Sequence, residues 1–186
     1  MTDREVRHRR IAAGEARTAL LRRRYQAPLE DVWDACTDPE RIRRWLLPVT
    51  GDLRAGGTFS LEGNAHGEIL RCEPPRLLAV TWVYGDRPAD EVELRLSPGA
   101  GGETILELEH ASVCETAPDG VSDAIFGVGV GWEPALYALD LYVRGELPDA
   151  LADKWRAGEP PPEVVALMTQ AGQAWTALVE EAARRG

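Results

Sequence analysis

In two segments between residues 90 and 110 the apolar positions alternate strictly, whereas over 29–46 and from 132 onward they recur every three to four residues. In EVELRLS, Val92, Leu94 and Leu96 share one face and Glu91, Glu93 and Arg95 the other. TILELEH repeats the alternation, with Leu106, Leu108 and His110 on one face. Period two on both segments predicts strands with one buried and one wet face, and PGAGGE between them predicts an antiparallel hairpin. LLAVTWVY, rich in β-branched and aromatic residues, is the clearest single strand. TFSLEG and EILRCE add two more, with Gly63 and Gly67 flanking the turn and Pro74-Pro75 closing the second. Ala19–Ala27 (ALLRRRYQA) reads as a first strand despite poor alternation, so one strand ahead of two short helices and about six antiparallel strands after them are expected.

Helical spacing appears four times. Leu29, Val32, Trp33 and Cys36 form one stripe after Pro28 at the first helical position, and Glu30 and Asp31 suit the helix dipole there. Thr37-Asp38-Pro39 ends that helix and caps a second, short one, with Ile42, Trp45 and Leu46 on its buried face. A glycine-broken run, Phe126–Gly131, leads into the strongest helix, where Trp132, Leu136, Leu139 and Val143 form a stripe widened by Tyr137 and Leu141. Gly145 and Pro148 stop it. After prolines 160–162, a last helix carries Val164, Met168, Ala171, Trp175, Leu178 and Ala182 on one face. A sheet with one apolar face needs a cover, and a long amphipathic helix supplies it. The division expected is an N-terminal extension over 1–17, one domain over 18–147, and a C-terminal helical extension over 148–186 packed on it.

Charge and composition narrow the function classes. The formal charge is −10, yet residues 1–24 hold eight arginines against Asp3, Glu5 and Glu15, a local +5 that leaves −15 for the rest. An acidic body repels phosphate backbones, so nucleic acid is not an expected partner, and the arginine-rich front reads as a solvated arm. No uncharged apolar run reaches membrane-spanning length, and no apolar h-region follows MTDREVRHRR, so a cytoplasmic protein without membrane insertion is expected. Cys36, Cys72 and Cys114 lack any CxxC or metal-finger spacing and read as reduced, buried thiols.

Chemistry has few candidates. Of His8, His66 and His110, only His110 falls on a predicted buried face. No HxH or HExxH spacing points to a metal, no GxSxG elbow to a serine nucleophile, and GVGVG lacks the context of a phosphate loop. That glycine run reads instead as flexible backbone able to admit a ligand. No catalytic residue, metal or cofactor is expected.

The segments APLEDVWDACTDPERIRRWL, GDLRAGGTFSLEG, GEILRCEPPRLLAVTW, the ELEH strand and the GVGW helix start occur in an order that resembles the SRPBCC superfamily. Within it, the resemblance is to bacterial AHSA1-like proteins and spans roughly residues 18–146. It implies an α+β helix-grip (Bet v 1-like) fold: a curved antiparallel sheet wrapped around a long C-terminal helix, here with an additional helical extension. A deep pocket between sheet and helix follows. Trp82 and His110 match the family's TW and strand-ending His by position. Face periodicity adds Leu61, Tyr84, Leu94 and Leu108 from the sheet, and Trp33, Trp45, Trp132, Leu136 and Tyr137 from the helices. The additional N-terminal domain of the eukaryotic co-chaperone has no expected counterpart.

The function expected is non-catalytic binding or transport of a small hydrophobic molecule in that pocket. A polyketide cyclase or dehydratase-like enzyme in the same cavity is the first alternative; its mark would be an imidazole within about 3 Å of a second polar group facing the void. A chaperone-associated or regulatory interaction module is the second. The C-terminal extension is further expected to form a homodimer contact.

Overall fold

Alternating apolar positions commit a strand to burying one face, and here eight strands bury theirs together. The structure, a computed structural model, describes residues 2–116, 122–148 and 160–185. The strands are β1 (Asp3–Ile11), β2 (Gly14–Tyr25), β3 (Val49–Gly51), β4 (Thr58–Leu61), β5 (Ala65–Glu73), β6 (Leu77–Tyr84), β7 (Asp90–Pro98) and β8 (Thr104–Ser112). They form one curved antiparallel sheet in the order β1-β2-β8-β7-β6-β5-β4-β3. Helices α1 (Leu29–Thr37) and α2 (Pro39–Trp45) follow β2; α3 (Ala124–Val143) and α4 (Pro162–Arg185) follow β8. The sheet wraps α3 in a helix-grip fold, as expected, and one apolar core joins its inner face to the helices.

Where local chemistry is strong, expectation and structure coincide. Leu94 pairs with Leu108 and Val92 with His110, which places the two alternating segments face to face. Asp38 caps α2 by accepting from the Glu40 N–H at 2.8 Å, with Pro39 in the first turn. Gly145, at φ 69°, ends α3 in the left-handed conformation a glycine takes without strain.

Three expectations are corrected. Residues 3–11 are not a solvated arm but strand β1, paired with β2 from Asp3↔Arg22 to Ile11↔Gly14. Its only core-packed apolar residue in the middle is Val6, and charge on an edge strand hides the alternation that would betray it. The arginines pair on the outer face: Arg9 with Glu91 and Glu109, Arg22 with Glu107, Arg24 with Glu103. Gly67 lies inside β5 rather than at a turn, because a Cβ there would come within 2.0 Å of the Thr81 carbonyl oxygen on β6. The run Phe126–Gly131 is neither broken nor a hinge: α3 begins at Ala124, where the Asp123 carboxylate accepts from the Ile125 and Phe126 N–H groups.

The back of α3 explains part of that glycine run. Trp175 of α4 is fully buried, and a Cβ on Gly129 would meet its ring at 2.2 Å. The Trp175 indole N–H donates to Glu133 Oε1 at 3.3 Å, and Arg4 of β1 pairs with the same oxygen. Thus α4 and β1 close one side of α3. Part of the C-terminal extension, 149–159, lies outside the described residues.

Candidate functional site

The opposite side of α3 is hollow. Two adjoining chambers lie between it, α2 and the inner sheet face, with volumes of about 160 Å³ and about 240 Å³. The first is apolar. Ile42, Trp45 and Leu46 of α2 roof it, Leu136 and Leu139 of α3 form one wall, and β4 to β8 supply the floor, including Phe59, Leu61, Val80, Leu94 and Leu108. A register shift between Ile69 and Arg71 brings both Ile69 and Cys72 onto that floor, three residues apart. The roof is pinned by Arg41, which donates to the Tyr142 hydroxyl at 3.1 Å and pairs with Asp31 at 2.8 Å.

The second chamber is mixed. Asn64, Tyr84, Arg87, Asp90, His110 and Ser112 stand around it, and Ala124, Gly127, Gly131 and Ala135 of α3 face it. Residues four apart share a helix face, so this row of small side chains leaves space that larger ones would fill. The other glycines of the GVGVG run therefore make room on the hollow side, as Gly129 does on the packed side.

Trp82 and Trp132 stand where the chambers adjoin, with ring centroids 5.2 Å apart. The Trp132 indole N–H donates to His110 Nδ1 at 3.0 Å, and His110 Nε2 lies 3.0 Å from Asp90 Oδ2. An indole can only donate, so Nδ1 is the accepting nitrogen and Nε2 carries the proton that Asp90 accepts. Both ring nitrogens are thereby engaged. The other Asp90 oxygen, Oδ1, is buried and has no hydrogen-bond partner among the described residues.

Burial shapes two further groups. It pushes the Cys36 thiol, at the apolar chamber's wall, up to about 12, so the thiolate a nucleophile needs is disfavoured. It also holds the Tyr25 hydroxyl well above its usual value, while that hydroxyl donates to the Leu136 carbonyl at 3.1 Å.

Of the residues singled out in sequence, Trp45, Leu94, Leu108 and Leu136 line the apolar chamber, Tyr84 and His110 the mixed one, and Leu61, Trp82 and Trp132 both. Trp33 and Tyr137 line neither. Trp33 is buried in the core from α1, and Tyr137 lies one turn beyond Glu133 on the back of α3. His66 is exposed on β5 and does not meet His110. Asp90 escaped notice, although it shares parity with Val92 and Leu94; a carboxylate on an otherwise apolar strand face is the signal that marks it. Among the described residues, no three His, Cys, Asp or Glu side chains gather at metal-binding distance. No helix among them is long and apolar enough to cross a membrane.

The fold and family of this chain are shared with known proteins. A family described as activator of Hsp90 ATPase homolog 1-like protein matches residues 26–144. The crystal structure of CalU16 from Micromonospora echinospora is 48% identical, with a TM-score of 0.79 over 96% of this chain and 98% of that one. DynU16, from the dynemicin biosynthetic locus, matches in fold at 21% identity and TM-score 0.62, over 71% of this chain and 49% of its own. An Hsp90 activator from Plasmodium falciparum shares the fold at 21% identity and TM-score 0.60, over 70% of this chain and 97% of that one. No curated protein matches.

Proposed function

Because this chain belongs to the activator of Hsp90 ATPase homolog 1-like family of the SRPBCC superfamily, we propose that it binds a small, mainly apolar molecule between sheet and α3, without transforming it. The observation that carries this reading is the apolar chamber of about 160 Å³. An apolar void of about 150 Å³ stays dry and takes up a benzene-sized guest, because water gains nothing there while apolar atoms gain contacts. Two indoles at the junction supply flat, rigid contact area, as small-molecule pockets use it.

An acid/base enzyme in the same cavity has one observation in its favour, the 3.0 Å contact between His110 and Asp90. In an acid/base pair the carboxylate holds one ring nitrogen and leaves the other for substrate. Here Trp132 occupies that second nitrogen, so His110 is held as a wall residue. The chaperone-associated reading has only the family's name behind it.

Calorimetric titration with naphthalene tests the binding reading. Saturable one-to-one uptake by the native chain is expected, as is its loss in Val92→Phe, whose added ring occupies the apolar chamber. An absence of saturable uptake by the native chain would overturn it.

A further inference from the structure

We propose that the guest is two-part: an apolar body for the first chamber, and a hydrogen-bond donor, foremost an ammonium group, that pairs with Asp90 in the second. This deepens the binding reading above and rests on it. The inference comes from counting hydrogen-bond capacity around the mixed chamber. His110 has none to spare, since Nδ1 accepts from Trp132 and Nε2–H goes to Asp90. Arg87 is engaged, donating to the Thr116 carbonyl. Ser112 accepts from the Cys114 N–H at 3.2 Å. Asn64 and Tyr84 are exposed, and of the chamber's polar residues Asp90 holds an acceptor oxygen that is buried and without a partner among the described residues.

A carboxylate oxygen sealed from water and unpaired is costly, and structures retain one where something else satisfies it. Asp90 is part of the chamber wall, so a donor inside it needs only a turn of the carboxylate about Cβ–Cγ, a broad torsion of low barrier. Around the imidazole, the groups facing it are the Asp90 carboxylate, the Trp132 indole and the Trp82 ring. Arg87, in the same chamber wall, is the positive group there, and it donates to the Thr116 carbonyl. A charged donor therefore suits the idle Asp90 oxygen better than a hydroxyl, and a carboxylate guest has no donor to offer it. The adjoining chamber, walled by leucines, valines and indoles, has no use for that head group and takes the apolar remainder.

The test is a matched set titrated by calorimetry: naphthylmethylammonium, naphthylmethanol, methylnaphthalene and naphthoate. The native chain is expected to bind the ammonium tenfold or more tighter than methylnaphthalene, with the alcohol between and naphthoate weakest, the ordinary ratio for a charge-assisted hydrogen bond. Asp90→Asn keeps an oxygen for the His110 proton and turns the idle position into an N–H donor. It should lose the ammonium preference and bind naphthoate better than the native chain does. A second measurement needs no variant: the ammonium, and not methylnaphthalene, should shift the Asp90 carboxylate carbon resonance. Equal affinity for ammonium and methylnaphthalene overturns the donor inference and leaves the apolar cavity standing. An ammonium preference that survives Asp90→Asn also overturns it. Binding of none of the four sinks both readings together.

Discussion

The two sides of α3 are built from the same kinds of residue and do opposite things with them. On the packed side, Gly129 lacks a side chain so that the Trp175 ring can lie against the helix backbone, and no space remains. On the hollow side, Gly127 and Gly131 lack theirs and the space stays open, with nothing within 4 Å of a Cβ built on Gly131. Each side also carries a tryptophan whose N–H meets a polar residue: Trp175 meets Glu133, and Trp132 meets His110. What differs is the cover. Helix α4 and strand β1 bring an indole and an arginine onto one side, whereas the other faces the two chambers. A tryptophan or a glycine is therefore evidence of a core or of a cavity only once its cover is known.

Stability measurements can break that contrast. Trp175→Ala should be the largest effect, a loss of about 4 kcal/mol in urea unfolding, from removing a buried ring and leaving a void. An equal loss for Trp132→Ala would erase the distinction between the sides. Gly129→Ala should cost about 2 kcal/mol despite the better helix propensity of alanine, because its Cβ displaces the Trp175 ring.

The burial of Cys36 beside the hollow side shows in alkali. Cys36 has a folded value raised from 9.0 to about 12, so the unfolded chain gives up its proton first. Its contribution is fully present below the unfolded value near 9.0 and is lost as pH rises toward about 12. By pH 10 the native chain should have lost on the order of 1 kcal/mol relative to pH 8, a part that Cys36→Ala removes. Tyr25, also raised, adds to the loss in the same direction at higher pH, so the comparison is made between native and variant chains.

The smallest effect has the opposite sign. Gly131→Ala should gain about 0.5–1 kcal/mol, since the added methyl meets open space and stiffens the unfolded chain. Two glycines two residues apart would then respond oppositely to one substitution. If both destabilise, the second side is not hollow.

Much of the fold was legible beforehand because its signals are local. Strict alternation located β7 and β8, the Thr37-Asp38-Pro39 sequence located the junction of α1 and α2, and Gly145 marked the end of α3. The site was legible by face and by resemblance: parity and helical spacing named seven residues that line the chambers, and the family resemblance added Trp82 and His110. Trp33 and Tyr137 do not line them, because sharing a stripe does not say which neighbour the stripe meets. Asp90 was missed for a related reason. A carboxylate at a strand's start reads as solvent-facing until His110, twenty residues away, is placed opposite Val92 beside it.

The sequence by itself determined most of the strands and helices, which of their faces are apolar, and the family those segments resemble, since backbone periodicity and capping act over a few residues. Only the tertiary structure decided that charged β1 joins the sheet, that GVGVG is helical, and that one side of α3 is filled while the other is empty. Those outcomes depend on packing between residues far apart in the chain: Trp175 on Gly129, Arg4 on Glu133, Trp132 on His110. Such contacts have no period, because what fills the space beside a residue is set by another part of the chain.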